Sequence, residues 1–175
     1  EVLLPPGLTG EAEVKAKAEG ILAGVDVALA VFRRVDPKLE TRALIEDGVA
    51  LHPGDVLTQA AGPVSSILTA ERTALNFLQH LSGIATTTSK YVQAVVEHQA
   101  RIVDTRKTTP GLRTLEKYAI RAGGGHNHRR NLGDGILIKD NHIQALRNEG
   151  LSLAEIVKKA RDGASHTIRI EVEVE

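Results

Sequence analysis

What this chain lacks narrows the field before any motif is read. It has no cysteine, which removes disulfide frames and thiolate-held metals together. Its 22 basic and 22 acidic residues cancel, so it lacks the broad basic face that nucleic-acid binding needs. No apolar run approaches the length required to span a bilayer, and the N-terminus has no basic-then-apolar signal pattern. The expectation is a soluble cytoplasmic protein with neither a membrane nor a nucleic acid as partner. Methionine is absent too, so the chain does not begin at an initiator. Residues 168–175, IRIEVEVE, read as a strand with nothing after it, and the expectation is a piece of a longer protein.

What is present is enough for a real core: 175 residues, 42% hydrophobic, suited to one domain or two small ones. Residues 1 to about 65 read as a small α+β unit. Glu11–Glu19 alternates small or apolar with charged residues, like a half-exposed strand. Gly20 and Gly24 punctuate it. Val25–Arg34 is apolar, ends in two arginines and precedes Asp36-Pro37, which predicts a buried helix. Leu39–Ile45 and Asp55–Ala61 are strand candidates joined through a His52-Pro53-Gly54 turn. From Ser66 to Glu97 the spacing of Leu75, Leu78, Ile84, Thr88, Tyr91, Val92, Val95 and Val96 predicts an amphipathic helix pair jointed at Ser82-Gly83. Beyond it the rhythm becomes strand then helix: strands at 101–105, 136–138 and 168–174, helices at 112–122 and 151–161. That alternation predicts parallel βα units with sites at the carboxyl ends of strands. A closed barrel needs about eight strands, and three are visible, so the sheet is either small and open or an incomplete barrel. The end of the chain favours the second. The division expected is 1–97 and 98–175.

The chemistry is concentrated in Asp104–His142. That run holds eight Lys or Arg against four acids in a chain that is neutral overall. Arg106 and Lys107 follow the strand 101–105, and Lys139 follows 136–138. Cations at equivalent strand ends suit an anionic substrate, although most lysines and arginines are simply solvated. Gly123-Gly124-Gly125-His126-Asn127-His128-Arg129-Arg130 is neither a Walker loop nor a dinucleotide fingerprint. Its His126-x-His128 pair is a weak zinc candidate with no carboxylate in register. The favoured alternative is that a histidine and Arg129 hydrogen-bond an anion while the glycines let backbone approach it. At the C-terminus, Arg169, Glu171, Glu173 and Glu175 share one face of the last strand, either an exposed edge or a lumen in which carboxylates act. Arg72, on a helix, reads by itself as a surface partner for a neighbouring acid.

Three segments carry a family resemblance: ERTALNFLQHLSGIATTT, DTRKTTPGLRTLEKYAIRAGGGHNHR and GILIKDNH. Together, and from the LPPGLTGEAEV opening to EVEVE, the chain resembles quinolinate phosphoribosyltransferase. The resemblance implies an α/β protein: a small sandwich-like α+β domain, then the first strands of an open, atypical α/β barrel that is incomplete here. It implies a Mg²⁺-dependent reaction of quinolinate with phosphoribosyl pyrophosphate, giving nicotinate mononucleotide, pyrophosphate and CO₂ on the route to NAD. Family roles in binding the quinolinate carboxylates fall on Arg106, His128, Arg129 and Lys139, with Arg72 reaching from the partner subunit of a homodimer or a dimer of dimers. Thr105 and Lys107 would serve the phosphoribosyl pyrophosphate side or the substrate edge. Lys107 and Glu173 would be the catalytic residues, Glu173 lying near the ribose and Mg²⁺. The family's second acidic residue and its phosphate-binding loops would lie beyond Glu175, and an N-terminal segment before Glu1. The expectation is therefore a chain that holds the quinolinate half of the site and does not turn over alone. The alternatives are a repurposed relative, such as the molybdenum-associated homologues, or an inactive fragment of the enzyme.

Overall fold

A computed structural model describes residues 3–5 and 7–173 of the chain. Strand β1, Thr9–Lys15, has the alternation its sequence predicts, with Gly10, Ala12 and Val14 turned inward and Glu11, Glu13 and Lys15 outward. It stops at Lys15, short of the Glu19 expected. β2 is Gly20–Ile21, α1 is Val25–Val35, β3 is Glu40–Ala43, β4 is Ala50–Leu51 and β5 is Val56–Pro63. β5 is central in an antiparallel sheet ordered β1-β5-β3, and β2 pairs with β4. Helix α1 buries Val25, Ala28, Leu29 and Phe32 into a core shared with Leu39, Leu57, Ala60 and the start of the next helix.

That next helix corrects the sequence reading. Val64–Ala94 is one 31-residue helix, α2, with no joint at Ser82-Gly83. Its buried row is Ile67, Ala70, Ala74, Leu78, Leu81, Ala85 and Thr88. Steps of three and four carry that row straight through the expected joint. Three of the seven are alanines, which hydropathy does not flag, while Tyr91 and Val96, read as core, are 61% and 68% exposed. Ser82 and its neighbours are small for another reason: the loop leading into α1 docks there. The Ala23 N–H donates to Ser82 Oγ at 3.0 Å and the Ile21 N–H to Thr86 Oγ1 at 2.8 Å. Gly24, at φ 96°, lies so close to Leu81 that a Cβ would come within 2.6 Å of its Cδ1. Asp47 then accepts the Gly24 and Val25 N–H groups at 2.8 and 3.1 Å, capping α1 from outside.

The βα part departs in detail. Residues 101–105 do not form a full strand. Val103 pairs in parallel with His126 through a single bridge, flanked by hydrogen bonds from His126 N to Ile102 O and from Asp104 N to His126 O. Helix α3, Arg113–Ala122, lies between these segments and packs on α2. β6 is Ile136–Ile138, as expected, and pairs in parallel with β7, Ile170–Val172. The last strand was expected to run from 168 to 174; Val174 and Glu175 lie outside the described residues. Between β6 and β7 are α4, Asp140–Asn148, and α5, Leu153–Asp162. α4 escaped the sequence reading because it is short and buries no residue fully, leaving only Ile143 and Leu146 as a half-buried apolar pair. α5 starts on a Ser152–Glu155 capping box.

The chain resolves into two compact units, Glu1–His128 and Arg129–Glu175. The first extends through α3 because that helix packs on α2 and its Tyr118 hydroxyl donates to Asp47 at 2.7 Å. Burial and the neighbouring Asp47 carboxylate push the Tyr118 pKa up to about 12. The described residues form no closed barrel.

The glycines after α3 serve this packing. A Cβ on Gly123 would fall 2.3 Å from Ala85 O, and one on Gly125 would fall 2.8 Å from Thr88 Cγ2. Gly83, by contrast, faces open space. Gly123→Ala is therefore expected to destabilise the chain by about 2 kcal/mol or more through overpacking. Gly83→Ala is expected to stabilise it by up to about 1 kcal/mol through helix propensity. Urea melts of the two variants check both signs.

Candidate active site

The expected site residues fall into two groups, one in each unit, with Arg72 on helix α2 of the first unit. In the first unit, the segment after Val103 carries Thr105, Arg106 and Lys107. Thr105 Oγ1 accepts the Lys107 N–H at 3.0 Å, folding the backbone back immediately after the bridge. Three residues on one face of α3 then hold this loop. Arg113 donates from Nη2 to Arg106 O at 3.2 Å and from Nε to Thr108 Oγ1 at 3.1 Å. Glu116 Oε2 accepts the Thr109 N–H at 3.2 Å, while its Oε1 meets His80 Nε2 of α2 at 3.0 Å. Lys117 pairs with Asp104. Positions 113, 116 and 117 share a face because they are three and four residues apart. The side chains of Arg106 and Lys107 make no hydrogen bond or ion pair to described residues, so both cations are available to a ligand.

His128 joins this group through Asp104. The His128 N–H donates to Asp104 Oδ1 at 2.9 Å, and Lys117 Nζ reaches His128 O at 3.5 Å. Asn127, in the amide orientation that satisfies its neighbours, donates to Asp104 Oδ2 at 2.7 Å and to Lys117 O at 2.8 Å. The sequence reading counted Lys117 among the cations offered to a ligand. It is instead neutralised within the fold, its side chain 2% exposed and that of Asp104 6%. The glycines, expected to let backbone approach an anion, approach α2 instead. Helix α3 and the glycines precede the loop's histidines, and His126 itself forms the bridge to Val103, with His128 two residues after it.

In the second unit, Arg129 precedes a loop closed by Asp134, whose Oδ2 accepts the N–H groups of Arg130 and Asn131 at 2.7 and 3.1 Å. Those backbone bonds hold the Asp134 carboxyl below its usual pKa. Arg129 Nη1 donates to Gly135 O at 3.1 Å, its stem lying where a Cβ on Gly135 would crowd it. Its Nε is buried with no hydrogen-bond partner among the described residues. A buried donor left without an acceptor is costly unless a ligand supplies one. Lys139 follows β6 and Glu173 follows β7. Parallel pairing brings Lys139 Nζ within 3.0 Å of the Glu173 carboxylate. Both side chains are about half exposed, so the pair is worth about 1 kcal/mol or less and can be exchanged for substrate. The Lys139 N–H donates to His142 Nδ1 at 3.0 Å, fixing the first turn of α4 beside it.

Arg72 stands on the exposed side of α2. It lines a groove of about 940 Å³ between α2 and the β1 edge, with Glu13, Lys15 and Glu71 nearby. A second cavity of about 630 Å³ on α2, lined by His80, Tyr91, Ile102 and Ile120, holds none of the expected site residues. Among the described residues, no three His, Asp or Glu side chains gather as a metal cage, and no helix is long and apolar enough to cross a membrane. Sequence reasoning placed Asp104, Arg113, Glu116 and Lys117 in the charged run but missed that they hold the loop and the His128 backbone. The signal that reveals them is the three-and-four spacing on α3, read against the loop it faces.

Known proteins match this arrangement over its whole length. Residues 1–82 fit the profile of the quinolinate phosphoribosyl transferase N-terminal domain, and residues 84–175 that of its C-terminal domain. The chain belongs to the quinolinate phosphoribosyltransferase family. It is 50% identical over 165 residues to a probable nicotinate-nucleotide pyrophosphorylase (carboxylating) of Bacillus subtilis, covering 94% of this chain and 56% of that protein. It is 44% identical to the nicotinate-nucleotide pyrophosphorylase of Mycobacterium leprae, covering all of this chain and 61% of the relative. The crystal structure of NadC from Streptococcus pyogenes superposes with a TM-score of 0.92 at 44% identity, over 99% of this chain and 61% of that one. The chain thus spans 56–61% of the length of these family members. The expected α/β class is borne out by these structural neighbours.

Burial disfavours the charged form of Glu116, but its hydrogen bonds with Thr109 and His80 outweigh that and hold its pKa below the ordinary 4.5. A carboxylate whose pKa is lowered by folding contributes stability above its unfolded pKa and loses it as the pH falls through the folded value. Glu116→Gln is therefore expected to destabilise the chain at neutral pH, with the gap closing well below pH 4.5. Urea melts of wild type and variant at the two pH values check this.

Proposed function

We propose that this chain supplies the quinolinate-binding part of an enzyme that joins quinolinate to phosphoribosyl pyrophosphate with loss of CO₂, in NAD biosynthesis. One observation carries the reading. The carboxyl ends of the parallel segments bear cations in turn: Arg106 and Lys107 after Val103, His128 and Arg129 after His126, and Lys139 after β6. Strand ends are where such folds hold substrate, and forked or point cations suit a dicarboxylate. Among the described residues, Arg129 Nε has no partner and the side chains of Arg106 and Lys107 make no hydrogen bond or ion pair, so they add donors for a ligand.

In the proposed reaction, Arg106, His128, Arg129 and Lys139 bind and orient the quinolinate carboxylates. The pyridine nitrogen forms a bond to the anomeric carbon of phosphoribosyl pyrophosphate as the bond to pyrophosphate breaks. Thr105 and Lys107 face that second substrate or the substrate edge. Glu173 stabilises the positive charge that develops at the ribose, and Lys107 is its catalytic counterpart among the cations. The 2-carboxylate departs as CO₂, leaving its electron pair on a ring carbon until a proton is taken up. Surrounding cations offset that charge. Glu173 also fits Mg²⁺, because this ion is commonly bound by one or two carboxylates plus substrate phosphates rather than by a protein cage. When bound, Mg²⁺ would neutralise charge on the pyrophosphate leaving group.

The same proposal makes the active assembly a homodimer or a dimer of dimers, with Arg72 acting across its interface, and places it in the cytoplasm. It sets the domain division at 97/98, where α2 has ended and the strand-then-helix rhythm has yet to begin. Calorimetric titration of quinolinate into the chain tests the reading. The dicarboxylate is expected to bind, and Arg106→Ala to weaken binding by about tenfold or more, the scale of one lost charged hydrogen bond, with little change in melting midpoint. A folded chain that does not bind quinolinate overturns the proposal.

A further inference from the structure

The side chains of Lys117 and Asp104 are both buried, 2% and 6% exposed, and nothing in helix formation calls for a lysine at 117. A buried ion pair stabilises a fold no better than apolar side chains of similar volume, so packing alone gives no reason for Lys117 and Asp104 to face each other here. What the pair does that a leucine and a methionine cannot is bond the backbone of His128 from both sides. Asp104 Oδ1 takes the His128 N–H at 2.9 Å, and Lys117 Nζ reaches the His128 carbonyl at 3.5 Å. Asn127 closes the network, bonded to the other oxygen of Asp104 and to the carbonyl of Lys117. Asp104 also immediately precedes Thr105, Arg106 and Lys107, and its own N–H is held by His126 O at 3.1 Å. One carboxylate therefore ties together the two segments that carry the first unit's cationic groups.

We propose that Asp104 and Lys117 are positioning residues: a buried charged clasp that fixes the His128 backbone, and so its imidazole, in register with the Arg106 loop. The role assigned to His128 rests on the quinolinate reading above. The clasp acts through His128 and touches no substrate. Its charges cancel each other, so its contribution is geometric rather than a further attraction for the dianion.

The test uses the full chain as wild type, as Lys117→Met, and as the double variant Asp104→Asn/Lys117→Met, each with and without His128→Ala. Lys117→Met alone leaves Asp104 buried and unpaired and is expected to lower the melting midpoint. The double variant removes both charges and is expected to recover most of that loss, which keeps the test independent of folding. In the double variant the His128 amide is expected to exchange with solvent at least about tenfold faster than in wild type, because the carboxylate that accepts its N–H has been removed. Quinolinate affinity, by calorimetry, is expected to fall about tenfold in the folded double variant when His128 is present. In the His128→Ala background the same substitutions are expected to change affinity less than about twofold. Residues acting through one another are non-additive in this way, whereas a merely structural pair would weaken binding equally in both backgrounds. Equal losses in the two backgrounds, or unchanged affinity in the folded double variant, overturn the proposal. If wild type binds no quinolinate, the functional reading fails by itself, and the exchange rate of the His128 amide alone decides whether the clasp exists.

Discussion

The first unit depends on helix α2 remaining unbroken. Its 31 residues extend for about 46 Å at the standard helical rise. One side of its first half closes the core over the antiparallel sheet, and its second half receives α3. Small residues make both contacts possible: Ala70 and Ala74 against the sheet layer, Ala85 and Thr88 against the end of α3. A kink at Ser82-Gly83 would turn the second half away and leave α3 without a surface. The loop into α1 secures the place most exposed to that failure, because Ser82 and Thr86 take its backbone N–H groups.

From that support the site follows by short steps. Once α3 is seated, its 113/116/117 face meets the loop after Val103 and fixes it at three backbone or hydroxyl positions. That restraint matters because Arg106 and Lys107 are long, flexible side chains, and a ligand gains most from cations whose backbone is already fixed. The second unit uses a simpler device. Parallel pairing of β6 with β7 sets Lys139 beside Glu173, and the glycine before β6 makes room for Arg129. Both units leave donors that the fold does not consume.

Much of this was legible in the chain. Alternation located β1, the apolar run located α1, and the β6 strand with its following lysine was read to the residue. Arg106, Lys107 and Lys139 stood out as cations after short apolar strands in a neutral chain, while the roles of Arg72, Thr105, His128 and Glu173 came from the family resemblance. What hydropathy obscured was anything that depended on small or polar residues. Alanines carry the buried row of α2, so apolar periodicity selected the wrong stripe and introduced a joint. Helix α4 buries no residue fully and left only one apolar pair, Ile143 and Leu146. The triple glycine looked like a loop prepared for a ligand, yet its missing side chains answer to Ala85 and Thr88, some forty residues earlier in the sequence.

The division between sequence and structure follows from the range of each effect. Strand alternation, capping, and a cation following an apolar strand are local, fixed by neighbours within a few residues, and the sequence determined them alone. The identity of the family was also written there, in long motifs. The tertiary structure decided which charges are free and which are spent. Arg106 and Lys117 look alike in the sequence, eleven positions apart in one basic run. Only the seating of α3 on α2 brings Lys117 onto Asp104 and out of water, while the Arg106 side chain makes no ion pair among the described residues. Burial is a property of long-range contact, and it turned one of two similar cations into structure and left the other outside the core.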